Sequence, residues 1–176
     1  MNFIGIDPGL HGAVAVVGMD GQFLRVHDTP SVQVTSQGRT RGEFDVARML
    51  SVLGACKIGP TNRMEVEPWI VALEDPRTAI PFGGRTSGAA IYSIGRGVGL
   101  WEMAIASLNM PYQKIRPQEW KQAMVGTKTA DQKHLSLVVA RRLWPAADLS
   151  LAKHDGRAEA LLIAEFYRRQ WSGGRT

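Results

Sequence analysis

The sequence predicts an α/β fold: a five-stranded mixed β-sheet flanked by α-helices, in one domain over residues 1–176. Three features carry that expectation. Residues 1–27 hold three short apolar segments separated by glycine-containing turns, as an antiparallel meander does. Residues 69–73, Trp-Ile-Val-Ala-Leu, run apolar without polar alternation, which suits a strand covered on both faces. Residues 89–108 and 155–171 carry apolar positions at helical spacing, long enough for about five turns each.

In chain order, residues 1–7 form a short apolar strand, and Pro8-Gly9-Leu10-His11-Gly12 turns the chain into the run 13–17. Met19-Asp20-Gly21 is a second turn, of the Asp-Gly kind, before a third strand over 22–27. Residues 29–42 are polar, rich in Thr, Ser, Gln and Gly with Arg39 and Arg41, and read as a loop. Val46, Met49, Leu50 and Leu53 give a helix over 45–53 that Gly54 and Gly59-Pro60 end. The buried strand 69–73 runs into Glu74-Asp75-Pro76 and a second glycine-rich loop over 76–87. The long helix 89–108 contains Gly95, Gly97 and Gly99, each costing about 1 kcal/mol relative to Ala. Such a cost implies close packing on the sheet or close approach to a phosphate chain. Residues 111–115 form a short strand, and Pro117 opens a short helix over 117–124. Thr129-Ala130-Asp131-Gln132 has the form of a capping box for a helix that Pro145 ends, and a last helix runs from near Asp155 to about Trp171.

The chain carries 21 Lys plus Arg against 16 Asp plus Glu, a formal charge of +5. That charge is uneven. Residues 1–75 hold 6 basic and 9 acidic residues, and the remainder holds 15 and 7. A basic half suits a polyanionic partner. With 44% hydrophobic residues, chain-wide disorder is excluded. No apolar stretch approaches the roughly 18 to 20 residues of a membrane span. The start has no signal-peptide pattern and Cys56 stands alone, so a reducing, cytoplasmic setting is expected.

Four carboxylates stand out by position. Asp7 ends the first strand, Glu74 ends the buried strand, and Asp155 and Glu159 lie four apart at the start of the last helix, on one face. If the two strands are neighbours, their acidic ends converge. Carboxylates pressed together raise one another's pKa unless a cation neutralises them, and hard oxygen donors without paired His or Cys suit Mg²⁺ or Mn²⁺. Plainer roles remain open: Asp7 as a turn residue, Asp155 as a helix cap, Glu159 as a first-turn acid. His154 is a further possible ligand. Around these acids a basic rim is expected from Arg77, Arg85, Arg96, Lys114, Arg116, Lys121, Lys128, Lys153 and Arg157, with Trp120 and Trp144 read as core. A basic rim around a metal-binding acidic centre suits phosphodiester cleavage.

Four motifs together resemble the RuvC-type Holliday-junction resolvases, and among them the bacteriophage-encoded branch. They are Gly5-Ile6-Asp7-Pro8-Gly9, Ala72-Leu73-Glu74, Ser93-Ile94-Gly95-Arg96-Gly97-Val98-Gly99 and His154-Asp155-Gly156-Arg157-Ala158-Glu159-Ala160-Leu161, in the family's order over roughly residues 1 to 170. The resemblance implies an RNase H-like fold, a homodimer, and hydrolysis of four-way DNA junctions by paired symmetric nicks with two Mg²⁺ ions, for which Mn²⁺ substitutes. It implies that Asp7, Glu74, Asp155 and Glu159 are the catalytic and metal-holding residues, the ions standing about 3.5 to 4 Å apart. The family's last acidic pair is often three residues apart, and three beyond Asp155 is Ala158, so Glu159 and His154 compete for the fourth position. Two other nucleases, a branched-DNA or flap endonuclease and an RNase H acting on hybrids, share the same pattern. A non-catalytic junction-binding protein would lack a need for all four acids. An actin-like kinase or ATPase, suggested by Asp7-Pro8-Gly9, needs a second domain for which the chain has no room; no nucleotide cofactor and no membrane partner is expected.

Overall fold

The glycine turns at 8–12 and 18–22 fold the start of the chain into an antiparallel meander of β1 (Asn2–Asp7), β2 (Ala13–Gly18) and β3 (Phe23–Asp28). A computed structural model describes residues 1–57, 68–76, 87–126 and 132–173. β4 (Ser31–Ser36) and β5 (Arg39–Phe44) then form a separate two-stranded hairpin, followed by α1 (Val46–Ala55) and β6 (Trp69–Glu74). α2 (Gly88–Ser107), β7 (Tyr112–Ile115), α3 (Pro117–Met124) and α4 (Gln132–Leu143) come next. A single 3-10 turn, Ala152–His154, leads directly into α5 (Asp155–Gly173).

The main sheet has five strands in the order β3-β2-β1-β6-β7, with β1, β6 and β7 mutually parallel and β2 antiparallel to both its neighbours. It is buried on both faces, and strand periodicity sorts its side chains between two cores. Phe3, Ala13, Ala15, Val17 and Ala72 meet α5 and its neighbours α3 and α4. Ile4, Ile6, Val14, Val16, Val71 and Leu73 meet α1 and α2 instead. β6 therefore shows no polar alternation because neither of its faces reaches water.

α5 lies deep against this sheet, buried along most of its length from Ala158 to Tyr167. Gly5 on β1 makes that depth possible: a Cβ there would stand 2.1 Å from the Ala160 carbonyl oxygen and 2.5 Å from the Ala164 nitrogen. Small residues on both partners, Gly5 and Ala72 on the strands, Ala160 and Ala164 on the helix, let backbone approach backbone. The glycines of α2 divide differently. Gly97 sits against the Pro8 carbonyl oxygen, where a Cβ would come to 2.2 Å, whereas Gly95 and Gly99 face open space.

Helix and strand ends fall within one or two residues of the sequence expectation, and the five-stranded sheet is present. The segment 29–42, expected as a loop, is instead the β4–β5 hairpin. Its turn is made by Gln37 and Gly38, both at positive φ (50° and 73°), as a tight two-residue hairpin turn requires. Val32 and Val34 alternate with Ser31, Gln33 and Thr35, but the run is short and its partner strand, Arg39 to Phe44, is mostly polar, so the strand signal is weak. The glycine-rich loop expected over 76–87 and the capping box at 129–132 lie largely outside the described residues.

Gly5→Ala should destabilise the protein by about 3 kcal/mol, the upper range for overpacking, because the collision is with helix backbone that cannot rotate away. Gly54→Ala in α1, where a Cβ meets nothing within 4 Å, should stabilise by about 0.5 to 1 kcal/mol. Urea unfolding of the two variants checks the opposite signs.

Candidate active site

β1 and β6 run parallel with Gly5 level with Ala72 and Ile6 with Leu73, so the next step along both strands brings Asp7 level with Glu74. Alternation puts Asp7 on the face of Phe3 and Gly5, and Glu74 on the face of Ala72. Both acids thus stand on the α5 side of the sheet at the C-terminal ends of adjacent strands. α5 begins beside them. Gly156 in its first turn fits because an added Cβ would lie 2.3 Å from the His11 carbonyl oxygen and 2.8 Å from Gly12 Cα. The helix therefore starts on the very turn that follows Asp7, with Asp155 half-buried at its first position and Glu159 buried one turn further in.

Each carboxylate is held by short-range contacts. Asp7 Oδ1 accepts the Gly9 N–H at 3.0 Å. Glu74 Oε1 accepts the Trp120 indole N–H at 2.9 Å in a buried setting. Lys121 Nζ stands 3.2 Å from Glu159 Oε1 and 5.0 Å from the centre of the Trp120 ring. The ammonium is within ion-pair reach of Glu159 but off the line of a hydrogen bond, so Oε1 is buried without any hydrogen-bond partner. Burial, then the Glu159 charge, push Asp7 up to about 7; the Gly9 N–H and Lys121 oppose the rise, and Asp155 adds to it. Burial, then the charges of Asp7 and Glu159, push Glu74 up to about 8, against the pull of Trp120 and Lys121.

The four acids expected to work together are thus brought to one end of the sheet. As placed, they engage the chain's own N–H groups and Lys121, and among the described residues no three His, Cys, Asp or Glu side chains are set to grip an ion at once. The chemistry of the set nevertheless suits a hard divalent cation. All donors are carboxylate oxygens, two of them carry raised pKa values from mutual repulsion and burial, and Glu159 Oε1 has no hydrogen bond to give up. His154 is buried in the turn before α5, with Nδ1 accepting from the Leu151 N–H at 3.4 Å and 3.8 Å from Asp148 Oδ1.

The basic rim is more compensated than its sequence suggests. Arg157 forks onto Asp28 (2.5 and 2.7 Å) and reaches Asp148 Oδ2 at 2.7 Å, which ties the start of α5 to the end of β3. Lys114 pairs with Glu102 at 2.7 Å, Arg116 with Glu119, and Arg96 with Glu43 at 3.5 Å while lying over the Phe44 ring. Lys121 is inside the acidic centre rather than on its rim. Lys153 is exposed. Arg77, Arg85 and Lys128 lie outside the described residues.

Sequence reasoning missed the polar role of Trp120. The ring is fully buried, as a core residue should be, but its N–H is spent on Glu74. The available signal was a tryptophan beside a lysine, Trp120-Lys121, in a helix opening next to a strand end. Gly156 was also legible as a glycine in a first helical turn, which costs stability unless something approaches closely.

No family model and no curated protein matches the sequence. Among solved structures, the chain resembles Thermus thermophilus RuvC in complex with a Holliday junction substrate, at 23% identity and a TM-score of 0.57 over 97% of this chain and 96% of that one. A second Thermus thermophilus RuvC structure gives 23% identity and a TM-score of 0.56, over 97% of each chain. At this identity the likeness is one of fold: the chain has the RNase H-like fold of RuvC, a five-stranded mixed sheet with flanking helices.

Proposed function

We propose that the chain is a structure-selective DNA endonuclease that resolves four-way junctions by paired symmetric nicks, with Mg²⁺ as cofactor and Mn²⁺ able to replace it. One observation carries this reading: four carboxylates from β1, β6 and α5 gather at one end of an RNase H-like sheet, one with a buried oxygen that nothing hydrogen-bonds. Two ions held by Asp7, Glu74, Asp155 and Glu159 would supply a hydroxide-like nucleophile and stabilise the leaving 3′ oxygen, giving 5′-phosphate and 3′-hydroxyl ends. The chain's own groups prepare the site. The Gly9 N–H fixes one oxygen of Asp7, the Trp120 N–H fixes one oxygen of Glu74, and Lys121 offsets their negative charge.

Paired nicks need paired sites, which a twofold dimer supplies. The exposed stripe of α2, with Ile91, Tyr92 and Met103 projecting and Gly95 and Gly99 between them, is the proposed contact with a second copy. Arg96 and Lys153, with Arg77, Arg85 and Lys128, are proposed to meet DNA phosphates; Lys114, Arg116 and Arg157 would do so by exchanging a carboxylate for a phosphate. The Lys114 and Arg116 pairs, about a third exposed or more, are worth at most about 1 kcal/mol, so a phosphate competes easily there, whereas Arg157, forked onto Asp28 and bonded to Asp148, would exchange less readily. The motif likeness to the bacteriophage-encoded branch belongs to this proposal as well.

Three measurements test it. With a panel of four-way junction, flap, duplex and RNA–DNA hybrid in Mg²⁺, the junction should be cut fastest, and Asp7→Asn should lower that rate at least about a hundredfold while leaving junction binding intact. Equal cutting of all substrates, or wild-type cutting by Asp7→Asn, defeats the reading. Trp120→Phe keeps the ring but leaves Glu74 Oε1 without its donor; metal-free stability should fall by about 1 to 3 kcal/mol in urea unfolding, with slower cleavage. The third measurement is thermal unfolding against pH. Unfolded Asp and Glu titrate near 4, whereas Asp7 and Glu74 hold protons to about 7 and 8 in the fold. The native state then binds more protons than the unfolded one between those values, so stability falls as pH rises from about 5 to 8 without divalent ions. Millimolar Mg²⁺ should raise the melting temperature at pH 8 and hardly at pH 5.

A further inference from the structure

Among the described residues, the β4–β5 hairpin stands apart from the main sheet with both of its faces largely in water. Residues 35–41 are all exposed, and the strands pair only with each other. An isolated two-stranded hairpin is marginally stable at best, yet this one is firmly rooted. Phe44 at its base is buried in the core beneath α1 and α2. The Asp45 N–H closes the base onto the Pro30 carbonyl. Gly42 lies against Leu10, where a Cβ would come to 3.1 Å, and Gly97 of α2 packs against both Phe44 and Pro8. The base of the hairpin therefore packs beside the turn that follows Asp7.

Its chemistry is that of a surface for a polyanion. The register Val34 with Arg41 and Ser36 with Arg39 sets both arginines on one face, near the tip. Arg41 leans on Glu43, which also draws Arg96 to the base. Among the described residues Arg39 pairs with no carboxylate. Arg39, Arg41 and Arg96 thus follow one another from tip to base around the single carboxylate of Glu43, a net positive strip, and the opposite face offers the Thr35 and Thr40 hydroxyls, 2.9 Å apart. Six residues of strand reach about 20 Å, the length of about six base pairs at ~3.4 Å each.

We infer that the β4–β5 hairpin is a DNA-contacting arm that lies along the duplex flanking the cut and holds its backbone phosphates through Arg39 and Arg41. The inference rests on the endonuclease reading above and adds to it a second, non-catalytic contact with a defined reach. Charge complementarity and packing beside the turn that follows Asp7 favour duplex DNA over a second copy of the chain as the occupant.

The test uses the full chain without divalent ions, and fluorescence anisotropy on synthetic junctions with arms of about 15 or about 4 base pairs. Two variants are compared with wild type: Arg39→Ala with Arg41→Ala, and replacement of residues 32–43 by Asn-Gly, which rejoins Ser31 to its ladder partner Phe44. On long arms both variants should bind about tenfold more weakly, and the double substitution should lower the slope of log K against log salt by about two. On short arms all three should bind alike. Equal affinity and salt slope on long arms overturn the arm, as does a loss of dimer mass in light scattering confined to the variants, which would assign the hairpin to a second copy. Failure of wild type to bind any junction overturns the endonuclease reading itself.

Discussion

The seating of α5 on β1 at Gly5 is the contact on which the rest depends. Helix backbone meets strand backbone there with no side chain between them. That depth carries Glu159 into the sheet's acidic end, lets Gly156 rest on the His11-Gly12 turn, and makes α5 a buried helix rather than an amphipathic one. Strand parity supplies the other half of the constraint. Asp7 and Glu74 share the α5 face because Gly5 is level with Ala72; a slip of one residue in β6 would swing Glu74 to the α2 side and send its whole apolar set to the wrong core.

Such a convergence is unfavourable in isolation. Three carboxylates that repel one another in a partly desolvated place must borrow compensation, and the chain provides two N–H donors and one ammonium, from Gly9, Trp120 and Lys121. α3 exists for this purpose as much as for packing: it is short, it opens on Pro117, and two consecutive residues of it serve the acidic end of the sheet. The arrangement stores electrostatic strain where a cation would relieve it, which is the usual place for a fold to keep strain. The rim follows a different rule. Arg157, Lys114 and Arg116 each have a carboxylate partner, so these three add little uncompensated charge, and the excess of the second half lies on other residues.

Legibility in the sequence tracked how local the determining physics was. β6 could be read because burial on both faces removes polar residues from a short run, and Asp7 and Glu74 because an acid at the end of such a run is out of character. The helices are legible from apolar spacing and from local stop and start signals such as Pro117 and Pro145, although Gly54, expected to end α1, lies within it and the helix runs on to Ala55. The hairpin does not read as strands because its signals, two alternating valines at 32 and 34 and the Gln37-Gly38 turn, are few in a segment otherwise as polar as a loop. The Trp120 bond to Glu74 spans 46 residues, and no spacing rule reaches that far. His154 and Glu159 are neighbours in the motif and both carry donors; that His154 lies 3.8 Å from Asp148 in the turn before α5, and that the Glu159 charge acts on Asp7 and Glu74, are facts of the helix's path that no spacing rule supplies.

The division of labour among the α2 glycines follows from the same geometry. Gly97 is needed because Pro8 comes within contact of the helix, one residue past Asp7. Gly95 and Gly99 lie on the side that faces away, between exposed Ile91, Tyr92 and Met103. Among the described residues nothing packs on those two glycines to offset the stability they give up, whereas a second helix laid across them could approach closely. A rigid helix that touches the Asp7 turn on one side and a partner copy on the other would fix the separation of two sites through its own diameter and crossing angle. For a substrate with twofold symmetry, that separation is what must match the distance between the phosphates to be cut, and a helix sets it more reproducibly than a loop could.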